Sequence, residues 1–168
     1  MTVWTTLAAA AAADLPHLLA RLRWTDLGVT LAAHLPARGW ANLRPFFGET
    51  CEVGLFFLPR GESIPLHDHP AMHVYMRVLQ GTLHVTSFTR VDPNDPTLAR
   101  RTADADLDPG SPVWLVEPHR DNLHTLTART DVAFVDVLRP PYVDGRTCTY
   151  YTATPSTPDL WRLAPRSY

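Results

Sequence analysis

The run Pro65-Leu66-His67-Asp68-His69-Pro70 sets two imidazoles one residue apart. Side chains alternate along an extended chain, so His67 and His69 share a face. Two imidazoles on one rigid face are half of a metal site, and the third ligand must come from elsewhere. His124, which opens an apolar run after Asn122-Leu123, is the best candidate, and His119 in the same turn is its rival. A chain with eight His in 168 residues also produces a His-x-His by chance, so the pair alone is weak evidence.

Other residues stand out against their surroundings. Asp136 shares a strand face with Val132, Phe134 and Leu138, where a carboxylate is costly unless paired. It is either an edge residue in water, the partner of an Arg, or a pocket residue beside a metal ligand or a substrate amine; the pocket role is favoured. Cys148 and Tyr150 are two apart and share a face if that segment is extended, which also describes an ordinary buried Cys beside a Tyr. Tyr142 follows two Pro on a rigid loop and can present its hydroxyl to a pocket mouth or simply pack. His73 lies near the His pair and reads equally as a pocket contact or as a strand residue satisfied by backbone. His84 reads as outward, and His17 and His34 as exposed. Phe56, Val78 and Leu83 read as core.

These side chains need a frame. From about Glu52 the chain reads as short strands punctuated by Pro and Gly: Glu52–Leu58, 73–79, 82–90, 113–116, Leu123–Ala128, 132–138 and 147–152. That texture predicts an all-β sandwich or barrel. Gln80-Gly81 reads as a hairpin turn. Residues 92–112 read as a long polar surface loop, with room for a short hairpin inside. Residues 155–168 read as an irregular tail that wraps the barrel through Leu160, Trp161 and Leu163. Before residue 40 the texture is helical: 7–23, split or kinked at Pro16, then about 27–34, capped by Thr25 or Asp26 and closed by Pro36. Residues 1–40 are too short to own a core and are expected to cap a barrel made by 41–168.

All fifteen basic residues are Arg, so Schiff-base, lysine-base and lysine phosphate-clamp chemistry is excluded. The fifteen are read as solvated surface, with no catalytic role. A net charge of −2 gives no reason to expect nucleic acid or an anionic membrane as partner. Cys51 and Cys148 allow one bridge but no disulfide framework. The start lacks the basic segment of a signal peptide, and no apolar run reaches the length of a membrane span. The expectation is a soluble, cytoplasmic monomer.

Gly61 stands six residues before His67 and Gly81 twelve after His69, a spacing that resembles the first motif of cupins. The position that usually carries a Glu ligand falls at Val74, or at His73, so no carboxylate is available there. The second motif is irregular: Pro118 precedes His124 by one residue too many, and the usual Gly and Asn are absent. Further strings match in order: Phe56-Phe57-Leu58-Pro59, Arg77-Val78-Leu79-Gln80-Gly81-Thr82, Asn122-Leu123-His124, Phe134-Val135-Asp136-Val137-Leu138-Arg139-Pro140-Pro141-Tyr142 and Gly145-Arg146-Thr147-Cys148-Thr149-Tyr150-Tyr151. Together they resemble the thiol dioxygenase family of cysteamine dioxygenase and the plant cysteine oxidases. The resemblance runs from about Asp26 to Tyr151, with the Ala-rich start and Pro-rich tail outside it.

The resemblance implies a mainly β fold, the cupin double-stranded β-helix or jelly-roll barrel, here with a short helical N-terminal cap. It implies Fe(2+) on three His and decides for His124 over His119. It implies insertion of both atoms of O2 into a thiol to give a sulfinate. It supports a pocket role for Asp136, gives Cys148 and Tyr150 a lining role, and raises a Cys148–Tyr150 thioether. The implied substrate is a small aminothiol such as cysteamine, or the N-terminal cysteine of a peptide. Two other readings share these residues. Three His with a water is also the pattern of a zinc hydrolase or lyase, and a non-enzymatic cupin would only bind a ligand.

Overall fold

A computed structural model describes residues 2–143 and 145–167. The chain opens with helices. Thr2 caps α1 (Val3–Ala9) by accepting the Thr5 N–H. A second helix, α2 (Leu15–Arg21), begins afresh with Pro16 in its first turn, where a missing N–H costs nothing. The helical stretch is thus split as expected, but at residues 10–14, just ahead of Pro16, which starts the second helix. The helix expected at 27–34 resolves into a 3₁₀ turn, Trp24–Leu27, and α3 (Leu31–His34), separated by Gly28 at φ +65°. Asp26 closes the turn by accepting the Arg23 N–H. His34 is half-buried and stacks on Phe57, contrary to the exposed position expected.

Eleven strands follow among the described residues: β1 (Ala41–Phe47), β2 (Glu52–Leu58), β3 (Ser63–Asp68), β4 (His73–Gln80), β5 (Leu83–Asp92), β6 (Asp95–Leu107), β7 (Trp114–Val116), β8 (Leu123–Ala128), β9 (Val132–Arg139), β10 (Tyr150–Thr157) and β11 (Leu160–Arg166). One sheet runs β1-β2-β9-β4-β7; the other, β10-β11-β6-β5-β8-β3, closes on itself. The core between the sheets contains Met76, Val78 and Phe134 from the first and Leu83, Val85 and Leu126 from the second. The first sheet's outer face, with Val53, Leu55, Phe57, Val135 and Val137, is covered by Leu7, Leu15, Leu19 and Leu22. This is the jelly-roll barrel with helices against one face.

Three expectations are overturned. Residues 92–112 are mostly strand: β5 and β6 form a long hairpin around Pro93-Asn94. The inward residues of β6 include Ala99, Ala103, Ala105 and Leu107, so its period-2 pattern is built on small side chains that resemble a polar loop. The tail is likewise a hairpin, β10–β11; Leu163 is buried and Trp161 packs with Phe88 and Leu66 over the second sheet. Tyr168 lies outside the described residues. Gln80-Gly81 is not a hairpin turn but the corner where the chain leaves one sheet for the other. Gly81 has φ +79°, and a Cβ there would overlap the Asp131 carbonyl oxygen. Strand β1 went unread in the sequence. Both cysteines are free, and no helix is long and apolar enough to cross a membrane.

Candidate metal centre

Strands β3 and β8 are antiparallel neighbours with His67 opposite His124. His69 lies just past β3, and Asn122 fixes it. The His69 N–H faces the Asn122 backbone carbonyl at 3.2 Å, and the Asn122 amide donates to the His69 carbonyl at 2.8 Å. Pairing and clamp bring the three rings together, with centroids 4.7 to 4.9 Å apart. One ring nitrogen from each His lies within 4.8 Å of the others, and all three residues are buried. His119, the rival, is exposed.

The hydrogen bonds select the tautomers. His67 Nδ1 lies 2.8 Å from the Pro65 carbonyl and must donate to it. His69 Nδ1 lies 2.8 Å from the Tyr142 hydroxyl, which also reaches the Asp68 carbonyl at 3.3 Å. With the Tyr142 proton on that carbonyl, His69 Nδ1 donates to the hydroxyl and Nε2 of both rings is left as an acceptor. His69 Nε2 and His124 Nε2 are 3.1 Å apart. Two nitrogens about 2.1 Å from one ion stand about 3 Å apart at a right angle. Burial above all, then neighbouring His, holds His69 well below the usual imidazole range; burial and His67 do the same for His124. Burial lowers His67 too, against the Pro65 carbonyl and Asp68. Neutral imidazoles are the form that ligates, so these three residues can hold a divalent ion.

The site opens on a cavity of about 110 Å³. Trp40, Phe56, Ile64, Leu126 and Leu138 make its apolar walls; Asp136, Tyr142, Cys148 and Tyr150 join His67 and His69 as its polar groups, with His124 behind them. Asp136 sits in mid-sheet, opposite Gly54 on β2 and Met76 on β4, so it is not an edge residue. It is 4% exposed, makes no ion pair among the described residues, and its Oδ1 has no hydrogen-bond partner among them. Burial, with Glu52 nearby, pushes its carboxyl well above the ordinary value. Burial raises Tyr142 strongly as well. Cys148 precedes β10 and is not on a strand, yet it reaches the cavity beside Tyr150. Burial raises the Cys148 thiol, against a hydrogen bond from Tyr150.

Two sequence readings shift here. His73 is exposed and lines a surface cleft with Glu117, Pro118, His119 and Arg120, not the cavity. His84 is outward as expected, paired with Asp104 and Asp106. Asp68 was missed. Its carboxylate accepts from the Thr149 N–H at 2.8 Å, the Tyr151 hydroxyl at 2.8 Å and Arg90 at 3.1 Å, which ties the ligand segment to β10. Arg90 is thus structural and half-buried rather than free surface, and Arg139 is another exception, donating to the Leu7 and Ala8 carbonyls at the end of α1. Only the Asp between the two His hinted at this network; its partners are remote in sequence.

Comparison with known proteins agrees with this architecture. A solved double-stranded β-helix protein from Klebsiella pneumoniae superposes with a TM-score of 0.54 at 13% identity, covering 73% of this chain and 94% of that one. Human 2-aminoethanethiol dioxygenase is 34% identical, over 82% of this chain and 63% of its own length. Plant cysteine oxidase 2 of Arabidopsis thaliana is 38% identical, over 59% of this chain and 39% of its own length. The chain thus spans less than two thirds of these relatives. The family model PCO_ADO matches residues 46–162, which takes in most of the Pro-rich tail once read as outside the resemblance. With that match over most of its length, the chain belongs to the PCO_ADO family.

Proposed function

We propose that this chain is an Fe(II)-dependent thiol dioxygenase that adds both atoms of O2 to a thiol and yields a sulfinate. The observation that carries the reading is the convergence of three buried imidazoles beside a small, largely apolar cavity, which also holds the Asp136 carboxyl, whose Oδ1 has no hydrogen-bond partner among the described residues. His67, His69 and His124 would hold the ion. Bound there, Fe(II) supplies the redox chemistry with O2 and coordination positions for a thiolate. With Val74 where a Glu ligand usually stands, the protein donates no negative charge to the ion, which favours an anionic, soft substrate ligand.

The other residues have separable tasks. Tyr142 holds the His69 ring through Nδ1 and keeps Nε2 turned to the site. Asp136 receives the substrate ammonium; its raised proton affinity is relieved once a cation lies against it. The apolar walls exclude bulk water. A cavity of about 110 Å³ suits a small aminothiol or the first residue of a peptide whose remainder stays outside. Cys148 and Tyr150 form one wall, and we read them as the pair that can join in a thioether.

The test is aerobic incubation of the iron-loaded protein with cysteamine, free cysteine and an N-terminal-cysteine peptide, read by mass spectrometry. Addition of two oxygen atoms to cysteamine or the peptide is expected. His124→Ala should abolish it and His119→Ala should not. Zinc as the resident metal without iron-dependent oxygen uptake would overturn the proposal in favour of a hydrolase or lyase. Turnover that survives loss of the three His would remove the metal site from the reaction. Size-exclusion chromatography is expected to give a monomer.

A further inference from the structure

A His that ligates through Nε2 normally donates Nδ1–H to a partner that fixes the ring. His67 has the Pro65 carbonyl and His69 has Tyr142. His124 has none: its Nδ1 is fully buried and unpartnered among the described residues. Directly opposite on β5 stands Ser87. It is 0% exposed, and its Oγ is likewise buried without a partner among the described residues. Alternation along β5 and β8 turns Ser87 with Leu83 and Val85, and His124 with Leu126 and Ala128, to the inner face. Two unpaired buried polar groups facing one another are unusual in a core of Leu and Val, where the polar atom of Ser87 has no packing purpose.

Opposed residues of an antiparallel pair have Cβ atoms about 4.5 to 5.5 Å apart, a gap a hydroxyl and a ring nitrogen span by side-chain rotation or through one water. We propose that Ser87 is the positioning residue of His124: its hydroxyl accepts the Nδ1–H, selects the tautomer that leaves Nε2 to the metal, and holds the ring plane. Each of the three His then has one dedicated acceptor: a backbone carbonyl, a tyrosine and a serine. The inference rests on the metal reading above but concerns affinity for the ion, not turnover.

The experiment titrates Co²⁺ into the metal-stripped full chain, following the visible absorbance of the bound ion, with Tm measured before and after. Wild type should bind and His124→Ala should not. Ser87→Ala should bind about 10- to 100-fold more weakly, and Ser87→Thr, which keeps the hydroxyl, should recover most of the affinity. The metal-free Tm of Ser87→Ala should fall slightly, because the buried His124 Nδ1–H loses its acceptor. A serine that merely packs would leave the Kd alone whatever it does to the Tm. If Ser87→Ala does not fold, Ser87→Cys, with its weak acceptor, carries the same expected loss of affinity. Unchanged Co²⁺ affinity in the serine variants, with wild type binding and His124→Ala not, overturns this inference alone. Failure of wild type to bind, or binding by His124→Ala equal to wild type, overturns the metal reading and this inference with it.

Discussion

Asp136 shows how the site uses a residue that stability alone would remove. A carboxyl in mid-sheet, opposite Gly54 and Met76, gains nothing from the strands that bury it. Its folded-state proton affinity is raised by burial, from an ordinary value of 3.8. Below 3.8 the group is protonated folded and unfolded, and its titration contributes nothing to stability. As pH rises above 3.8 the unfolded chain releases the proton while the folded chain keeps it, so stability is lost until the folded group also ionises. Asp136→Asn removes this loss. In metal-stripped protein the Tm advantage of the Asn variant should be near zero at the acid end and grow with pH, by at most about 1.4 kcal/mol per pH unit in stability. The same variant should lose about 10- to 100-fold in kcat/KM for an aminothiol, the worth of a charged hydrogen bond. An Asn variant that is no more stable at neutral pH, yet fully active, would return Asp136 to an ordinary buried residue.

The elements carry the site by pairing rather than by propensity. β3 and β8 place His67 against His124, and β10 is tied to the same segment through Asp68, Tyr151 and Thr149. The corner at Gly81 decides whether β5 reaches its place beside β8 at all. Its positive φ and the closeness of the Asp131 carbonyl leave no room for a side chain. Gly81→Ala should therefore lower the free energy of unfolding by about 1–3 kcal/mol in a denaturant titration. An unchanged midpoint would show that the corner relaxes easily. Within the long β5–β6 hairpin, β6 is gently patterned, its inner face being largely Ala and its outer face Asp, Arg and Thr.

At the scale of the whole molecule, the N-terminal helices and the first sheet share one apolar cluster. Leu15 and Leu19 are 0% exposed and lie in the cluster that contains Val53, Leu55, Val135 and Val137 from the sheet. Arg139, at the end of β9, donates to the carbonyls that close α1, so the same strand that carries Asp136 also holds the helical segment. We expect residues 1–40 and the barrel to unfold as one unit. Leu19→Ala should cost about 2–5 kcal/mol and shift a single cooperative transition whether it is followed by helix signal or by Trp fluorescence. Two separated transitions would instead divide the chain into independent parts.

The first two ligands and the Asp were legible in the sequence because ligand chemistry is local: a His-x-His on an extended segment and an Asp on an apolar face announce themselves by type and spacing, whereas the choice of His124 over His119 came from the family resemblance. The strands rich in Val, Phe and Leu were legible for the same reason, and β2 and β8 keep the bounds expected of them. What stayed hidden depends on partners far along the chain. An Ala-based alternation does not distinguish β6 from a loop until β5 lies beside it. Pro155 and Pro165 disguised β10 and β11 as an irregular tail, although each sits in a paired register. The exclusion of His73 and His119 from the cavity, the Asp68 network and the pairing of Ser87 with His124 were decided only when the two sheets closed. Tertiary structure alone sets which buried polar groups face one another, and which of them face none.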